Sequence, residues 1–376
     1  MAFSMCVSLL GSGLFLVLAS FRPLPREPHP SALTWVVCSA TIMLSLFRRS
    51  PLISPQPPAS LATWITDSSI QVRQRPLNQV VFPGSHNSGT YAITGNIVSG
   101  DCDPRLVPYV QRCRFVSSFV ARWAACQRMS ITQQLHAGIR YLDLRVQALP
   151  NGDIRLCHSL CSITLHNCLT QIRAYLDAYP NELILLDVNH IYVSDPSQYA
   201  QICQQVVLQL GRDCIATRAE TPATSTLASL NLHHVQVVLI YHHEPTAMLL
   251  NVWGANHIRS PWPNASSTSK VLRYIDASLV DRKLSVDQMH VTQLVATARP
   301  LDLVCHFSLL SFAKTLLAHA LPWLKQLAQQ RDARTKACNV VMVDDCGAHQ
   351  YQLIQAILTL NKTKAGQNDA HVDLNR

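Results

Sequence analysis

The sequence predicts an α/β fold, a single TIM-type (β/α) barrel behind an apolar N-terminal extension. Three observations predict it. Short runs rich in Val, Ile and Leu recur with little polar alternation, as strands buried on both faces require. Helical patterns with start and stop signals lie between the runs. His, Asp or Arg follows the runs directly, at the strand ends where a barrel keeps its chemistry. The 376 residues suffice, because such a barrel fills about 250 as one domain.

Residues 1–49 form the extension. Ala2 to Ser20 is almost wholly apolar, and a second apolar run spans Ala32 to Phe47 between Arg22/Arg26 and Arg48/Arg49. The first suits a signal peptide or membrane anchor, although it lacks a basic start. The second is slightly short for a spanning helix. A secreted or membrane-associated protein is expected, with Asn264-Ala-Ser and Asn361-Lys-Thr as candidate glycosylation sequons. A cytoplasmic protein is the alternative, if the extension is a gene-model artefact. Residues 50–75, rich in Pro and Ser, read as a linker, residues 76–360 as the barrel, and residues 361–376 as a frayed polar tail.

The expected strands are Gln79–Phe82, Ile139–Val146, Leu183–Val188, Val235–Tyr241 and Asn339–Val343. The first two are about 55 residues apart, so a long insertion separates them. Ser130-Ile-Thr-Gln133 is a capping box, and Gly138 stops that helix. Leu165, Leu169, Ile172 and Leu176 make one apolar stripe, ended by Pro180. Asp195-Pro196 starts a helix that Gly211 closes.

Composition narrows function. With 48% hydrophobic and 14% charged residues, the chain is neither disordered, coiled-coil nor collagen-like. The net charge is +9, and 24 of the 31 basic residues are Arg. No basic run exceeds Arg48-Arg49, so the stripe of a nucleic-acid binder is missing. A phosphate-bearing small molecule or an anionic membrane surface suits scattered Arg better. The 13 Cys include no CxxC pair, so no zinc site is expected. Cys157, Cys161 and Cys168, among apolar neighbours, read as buried thiols; disulfides stay open if the chain is secreted.

The polar residues after the runs form a constellation. The turn Pro83-Gly-Ser-His-Asn-Ser-Gly-Thr-Tyr91 carries His86 and Asn87. Asp143 and Arg145, two apart, share one face of the second strand. His158 follows a hairpin-like stretch. Asp187-Val-Asn-His190, Tyr241-His-His243 and Asp344-Asp345 each follow a strand. Two His, an Arg and several Asp suit cleavage of a phosphodiester. One His takes a proton, the other gives one, and Arg stabilises phosphorane charge.

Pro83–Tyr91, Trp123–Val146 and Asn181–Tyr192 together resemble the phosphatidylinositol-specific phospholipase C X-domain family. The nearest branch lacks PH, EF-hand and C2 domains, and Ser260-Pro-Trp-Pro-Asn264 and Val291-Thr-Gln293 resemble it too. The resemblance covers about residues 65–360 and implies a distorted TIM barrel. It implies His86 as general base, His158 as general acid and Arg145 in place of an acidic calcium ligand, so no metal or other cofactor is expected. Asn87 departs from the Asp usual in metal-independent members. Asp344 matches the Asp that orients the base, with Asp345 standing where an aromatic is usual; the choice between Asp344 and Asp345 stays open. Asp143 joins the catalytic set, and Asn87, Asp187, His190 and Tyr241 are expected to bind substrate.

The function implied is a phosphoric diester hydrolase of phospholipase C type. It would act as a monomer on an inositol phospholipid at a membrane surface, with no nucleic-acid partner. The alternatives are a glycerophosphodiester or sphingomyelin phosphodiesterase, or a catalytically silent headgroup binder.

Overall fold

The computed structural model describes residues 56–368, apart from residues 96, 283–287 and 331. The apolar runs at 2–20 and 32–47 lie outside the described residues. Among those described, no helix is long and apolar enough to cross a membrane.

Among the described residues, ten strands form one sheet: β1 (Phe82–Ser85), β2 (Tyr141–Ala148), β3 (Ile154–His158), β4 (Leu160–Thr164), β5 (Ile184–Tyr192), β6 (Val237–Tyr241), β7 (Trp253–Gly254), β8 (Ile258–Arg259), β9 (Met289–Leu294) and β10 (Val340–Val343). Eight run in the order β7-β6-β5-β2-β1-β10-β9-β8, and every pairing along that path is parallel. The path nearly closes into a barrel. Its seam falls between β7 and β8, which are joined by one 3-10 turn, Ala255–His257. β3 and β4 form an antiparallel hairpin added to the end of β2. The (β/α) barrel expected from the sequence is the fold observed.

Strand parity sorts the apolar residues into two buried layers. Phe82, Tyr141, Leu185, Val238, Ile240, Val291, Val340 and Met342 fill the barrel. Leu142, Leu144, Ile184, Leu186, Val188, Leu239 and Val341 face the helices instead. Truncating such a residue to Ala costs about 2–5 kcal/mol.

The helix signals hold. Ser130 and Gln133 form the capping box of Ile131–His136. Gly138 has φ +100°, a backbone region that a side chain would strain. Helix Leu165–Ala178 buries Leu165, Leu169, Ile172 and Leu176. Helix Ser197–Leu210 starts where the Asp195 carboxylate accepts from the Ser197 N–H at 2.7 Å. Helices Val107–Arg112 and Arg114–Ala124 occupy the long insertion.

Four expectations need correction. The first strand lies three residues later than expected, at Phe82–Ser85, because Pro76 leads into a 3-10 turn, Leu77–Gln79. Residues 57–75 are no linker: Leu61, Ala62, Trp64, Ile65 and Val72 are buried against the barrel. The chain does not fray at residue 361, since helix Gln352–Asn368 runs through it. Asn361 is 4% exposed, donating to Val81 O and accepting from Val81 N, both at 2.8 Å, so it is no glycan acceptor. Asn264 is exposed.

Segment 57–75 caps the closed end of the barrel around Arg140, which is fully buried. Its guanidinium donates to Glu182 Oε2 through Nε at 2.9 Å and Nη2 at 2.7 Å. It also donates to the carbonyls of Leu135, Ile139 and Ala62. Glu182 Oε1 accepts from the Thr66 N–H and hydroxyl. Tyr175, 5.0 Å from the guanidinium carbon, donates to Ala62 O at 2.5 Å.

Candidate active site

The open end of the barrel is built by three strand ends that break off in the same way. His86 follows β1, His158 ends β3 and Asp344 follows β10. The next residue in each case has left-handed backbone: Asn87 (φ 43°), Ser159 (φ 58°) and Asp345 (φ 46°). Such residues are costly unless the surroundings hold them. Here Asn87 N donates to Asp143 Oδ2, Ser159 N to Asp101 Oδ1 and Asp345 N to Cys126 O, at 2.7, 2.8 and 2.8 Å. Gly89 closes the first turn against β3, because a Cβ there would lie 2.1 Å from Leu156 Cδ1.

His86 Nδ1 lies 2.7 Å from Asp344 Oδ1. An ionised carboxylate only accepts, so Nδ1 carries the proton and Nε2 is the free base. Nε2 accepts from Asn87 Nδ2 at 3.0 Å and lies 3.9 Å from Asp143 Oδ2. His158 Nδ1 donates to Ala124 O at 2.8 Å, which fixes the same tautomer. The two rings sit 6.3 Å apart, centroid to centroid. Burial works against protonating His86, but Asp344 and Cys126 outweigh it and raise its pKa well above the usual imidazole value. His158 is raised too: burial opposes this, and Cys126 and Asp101 prevail over Arg145.

Arg145 enters the mouth from β2, with Nη1 3.3 Å from Asp101 Oδ2. Its Nε has no hydrogen-bond partner among the described residues. Asp143 does not pair with it directly, accepting instead from Asn87 N and Asn189 Nδ2. At the last strand Asp344 is the carboxylate bonded to His86, while Arg128 grips Asp345 through Nε and Nη2.

The expected substrate-binding residues divide. Asn87 and Asp187 belong to the mouth. Asp187 Oδ2 accepts from Tyr141 OH at 2.5 Å, and Oδ1 lies 2.9 Å from His242 Nε2. Tyr241 is corrected: it lies on the outer face, fully buried, its hydroxyl donating to Tyr199 O at 2.7 Å. Its neighbour His242 has the parity that enters the barrel. His190 is exposed at the rim, with Nδ1 2.6 Å from Asn189 Oδ1. Asn189, the extra residue where the β2–β5 register shifts, is the one that reaches Asp143.

Sequence reasoning missed Asp101, Cys126, Gln127, Asn189 and His242. Gln127 ties two strand ends together, its Nε2 donating to His86 O at 2.9 Å and Val343 O at 3.0 Å. Cys126 lies between the histidines, Sγ 3.5 Å from His158 Nδ1. Burial alone would raise its pKa, yet His158 and His86 bring it down to about 7. The other described cysteines, Cys157 and Cys161 included, are likewise free thiols.

The parallel (β/α) barrel is the fold of solved phosphatidylinositol-specific phospholipases C. The phosphatidylinositol-specific phospholipase C from Listeria monocytogenes superposes with a TM-score of 0.56 at 17% identity, over 81% of this chain and 98% of that one. A pentafluoro-phenylalanine form of the Staphylococcus aureus enzyme gives 0.58 at 17% identity, over 80% and 98%. The PI-PLC X family model matches residues 112–210. PI-PLC X domain-containing protein 2 from Mus musculus is 30% identical over 242 residues, 63% of this chain and 70% of that protein. The Homo sapiens protein of that name is 28% identical over 266 residues, 70% of this chain and 85% of it. The chain belongs to the PI-PLC X domain-containing protein family.

Proposed function

We propose that the chain is a phosphoric diester hydrolase that cleaves phosphatidylinositol or a related inositol phospholipid by His/His acid–base catalysis. The observation that carries this is the histidine pair, each Nδ1 pinned to an acceptor and the rings 6.3 Å apart. His86 Nε2 takes the proton of the inositol 2-hydroxyl as its oxygen attacks phosphorus. His158, protonated, gives a proton to the departing glycerol oxygen, so diacylglycerol leaves and an inositol 1,2-cyclic phosphate forms. Asp344 holds the imidazolium that develops on His86. Arg145 stabilises the phosphorane oxygens, with Asp143 and Asp101 beside it.

No metal is required in this scheme, because the guanidinium supplies positive charge where a cation would otherwise act. Burial lowers the Arg145 pKa, but Asp143 and Asp101 hold it above its ordinary value, so the charge persists. Asn87, Asp187, Asn189 and His242 face the headgroup.

Docking on a membrane surface fits the mouth's own rim. The segment after β9 exposes Leu301 (74%), Val304 (82%) and Phe307 (66%), an apolar group that a lipid surface would cover. The protein acts there as a monomer, reaching the secretory route through the apolar run at 2–20. A glycosidase-sensitive mass shift on expression in secreting cells, lost in Asn264→Gln, checks the route.

Incubation with phosphatidylinositol, with and without chelator, followed by phosphorus NMR, tests the activity. A cyclic inositol phosphate signal that survives chelation is expected. No product in either arm defeats the hydrolase reading, and product only without chelator defeats metal independence.

A further inference from the structure

Cys126 takes no part in the proposed chemistry, yet it stands inside it. It is fully buried at the end of the inserted helix Arg114–Ala124, and the strand-end turn at Asp345 is bonded to its carbonyl. A ring nitrogen of His86, the Cys126 sulfur and a carboxylate oxygen of Asp344 all lie within 4.8 Å of one another. One imidazole, one thiolate and one carboxylate, each from a different segment, form a donor set suited to a soft or borderline divalent cation. A tetrahedral zinc ion with bonds of about 2.0–2.3 Å needs its donors between about 3 and 4 Å apart.

We propose that His86, Cys126 and Asp344 form an inhibitory zinc site. The fourth position is left to water. On binding, the Cys126 thiol gives up its proton to solvent and the sulfur bonds to Zn²⁺. His86 bonds the ion through Nδ1, the nitrogen beside Asp344, and its Nδ1 proton passes to Nε2. A His86 so engaged cannot accept the proton of an attacking hydroxyl, so the metal and the acid–base cycle exclude one another. The thiolate and carboxylate neutralise the ion, which limits its repulsion by Arg145. The thiolate selects against calcium and magnesium, which prefer all-oxygen shells. The proposal rests on the reading of His86 as general base only for the inhibition, not for the binding.

The test uses the purified full chain, with Cd²⁺ as optical probe and Zn²⁺ as competitor. One equivalent of Cd²⁺ should raise an ultraviolet thiolate-to-metal band that Zn²⁺ abolishes and Ca²⁺ leaves alone. In Cys126→Ser the band should vanish, and affinity should fall by more than the about 10–100-fold typical of losing an outer-shell partner. Cys203→Ser, far from the site in sequence and buried against the helices, should keep it. An unchanged band in Cys126→Ser overturns the site. Should that variant fail to fold, Zn²⁺ protection of wild-type Cys126 from alkylation, read by peptide mass spectrometry, decides the matter. Alkylation slower than in the metal-free chain supports the site, and an unchanged rate overturns it. Zn²⁺ inhibition of phosphatidylinositol cleavage, relieved by chelator, is expected alongside. A chain that binds Zn²⁺ at Cys126 but cleaves no lipid would defeat the hydrolase reading and leave the metal site standing.

Discussion

Arg140 and Arg145 stand five residues apart on one stretch of chain, at opposite ends of the barrel, and they do opposite things with the same guanidinium. Arg140 spends all five of its N–H donors on Glu182 and three carbonyls. Arg145 has one carboxylate contact at 3.3 Å and an Nε without a partner among the described residues. A buried Arg with every donor satisfied can only hold structure, because no valence is left for a ligand. A half-satisfied one beside two histidines has capacity for an anion with two oxygens. Saturation, rather than burial, separates the two roles.

The largest effect should come from breaking the saturated end. Arg140→Met leaves Glu182 buried without its cation, and loss of one partner of such a pair costs about 3–5 kcal/mol. Denaturant unfolding should show it, with phospholipid cleavage per folded molecule unchanged. A loss below about 1 kcal/mol would erase the contrast.

At the open end the order reverses, with stability kept and chemistry lost. His86→Ala and His158→Ala should each lower turnover by about 100-fold or more. Arg145→Lys keeps the charge but loses the planar fork, and should cost about as much. A folded Arg145→Lys enzyme with near wild-type kcat/KM would show that Arg145 acts only as a point charge.

A pH profile sharpens the contrast further. His86 has its folded pKa raised above the unfolded value of about 6.5, through Asp344 and Cys126 against burial. Its contribution to stability is therefore fully present below about pH 6.5 and is lost as pH rises through the folded value. The stability gap between wild type and Asp344→Asn should narrow as pH rises over that window. The acid limb of kcat/KM should move to lower pH in the variant, since the neutral base then forms sooner. A gap that is flat or widening with pH would show that Asp344 does not hold a protonated His86.

The smallest effect belongs to Tyr241→Phe. It removes one hydrogen bond to Tyr199 O, worth about 1 kcal/mol, and should leave KM and kcat alone because the ring lies outside the barrel. A raised KM would return Tyr241 to the mouth.

The residues that were legible in advance share a property. Arg145 and Asp143 interrupt an apolar strand at spacing two, and His86 and Asp344 follow short apolar runs, so their patterns announce both face and end. Tyr241 misled because Val237–Tyr241 is apolar at every position, and a run without alternation hides which residues face inward. His242 was thus passed over for its neighbour. β7 and β8 are two residues each, too short for any period, and β9 carries His290, Thr292 and Gln293 among its apolar residues. Asp101 and Cys126 come from the long insertion, where only three-dimensional folding brings them to the histidines. Residues 57–75 were misread because Pro and Ser content outweighed Leu61, Trp64 and Ile65, which fold under the barrel.

That last segment sets a boundary on how far the chain tolerates trimming. Ala62 O is the acceptor for both Arg140 and Tyr175, and Thr66 completes Glu182. A cut upstream of Ala59 leaves this cap whole. A cut past Thr66 strips acceptors and donors from a buried ion pair, at about 1–3 kcal/mol for each group orphaned. Under the proposed secretory route, N-terminal sequencing of the product should therefore find its first residue before Ala59. Shorter forms should surface only as degradation fragments, because the barrel uses its own amino-terminal turns as its floor.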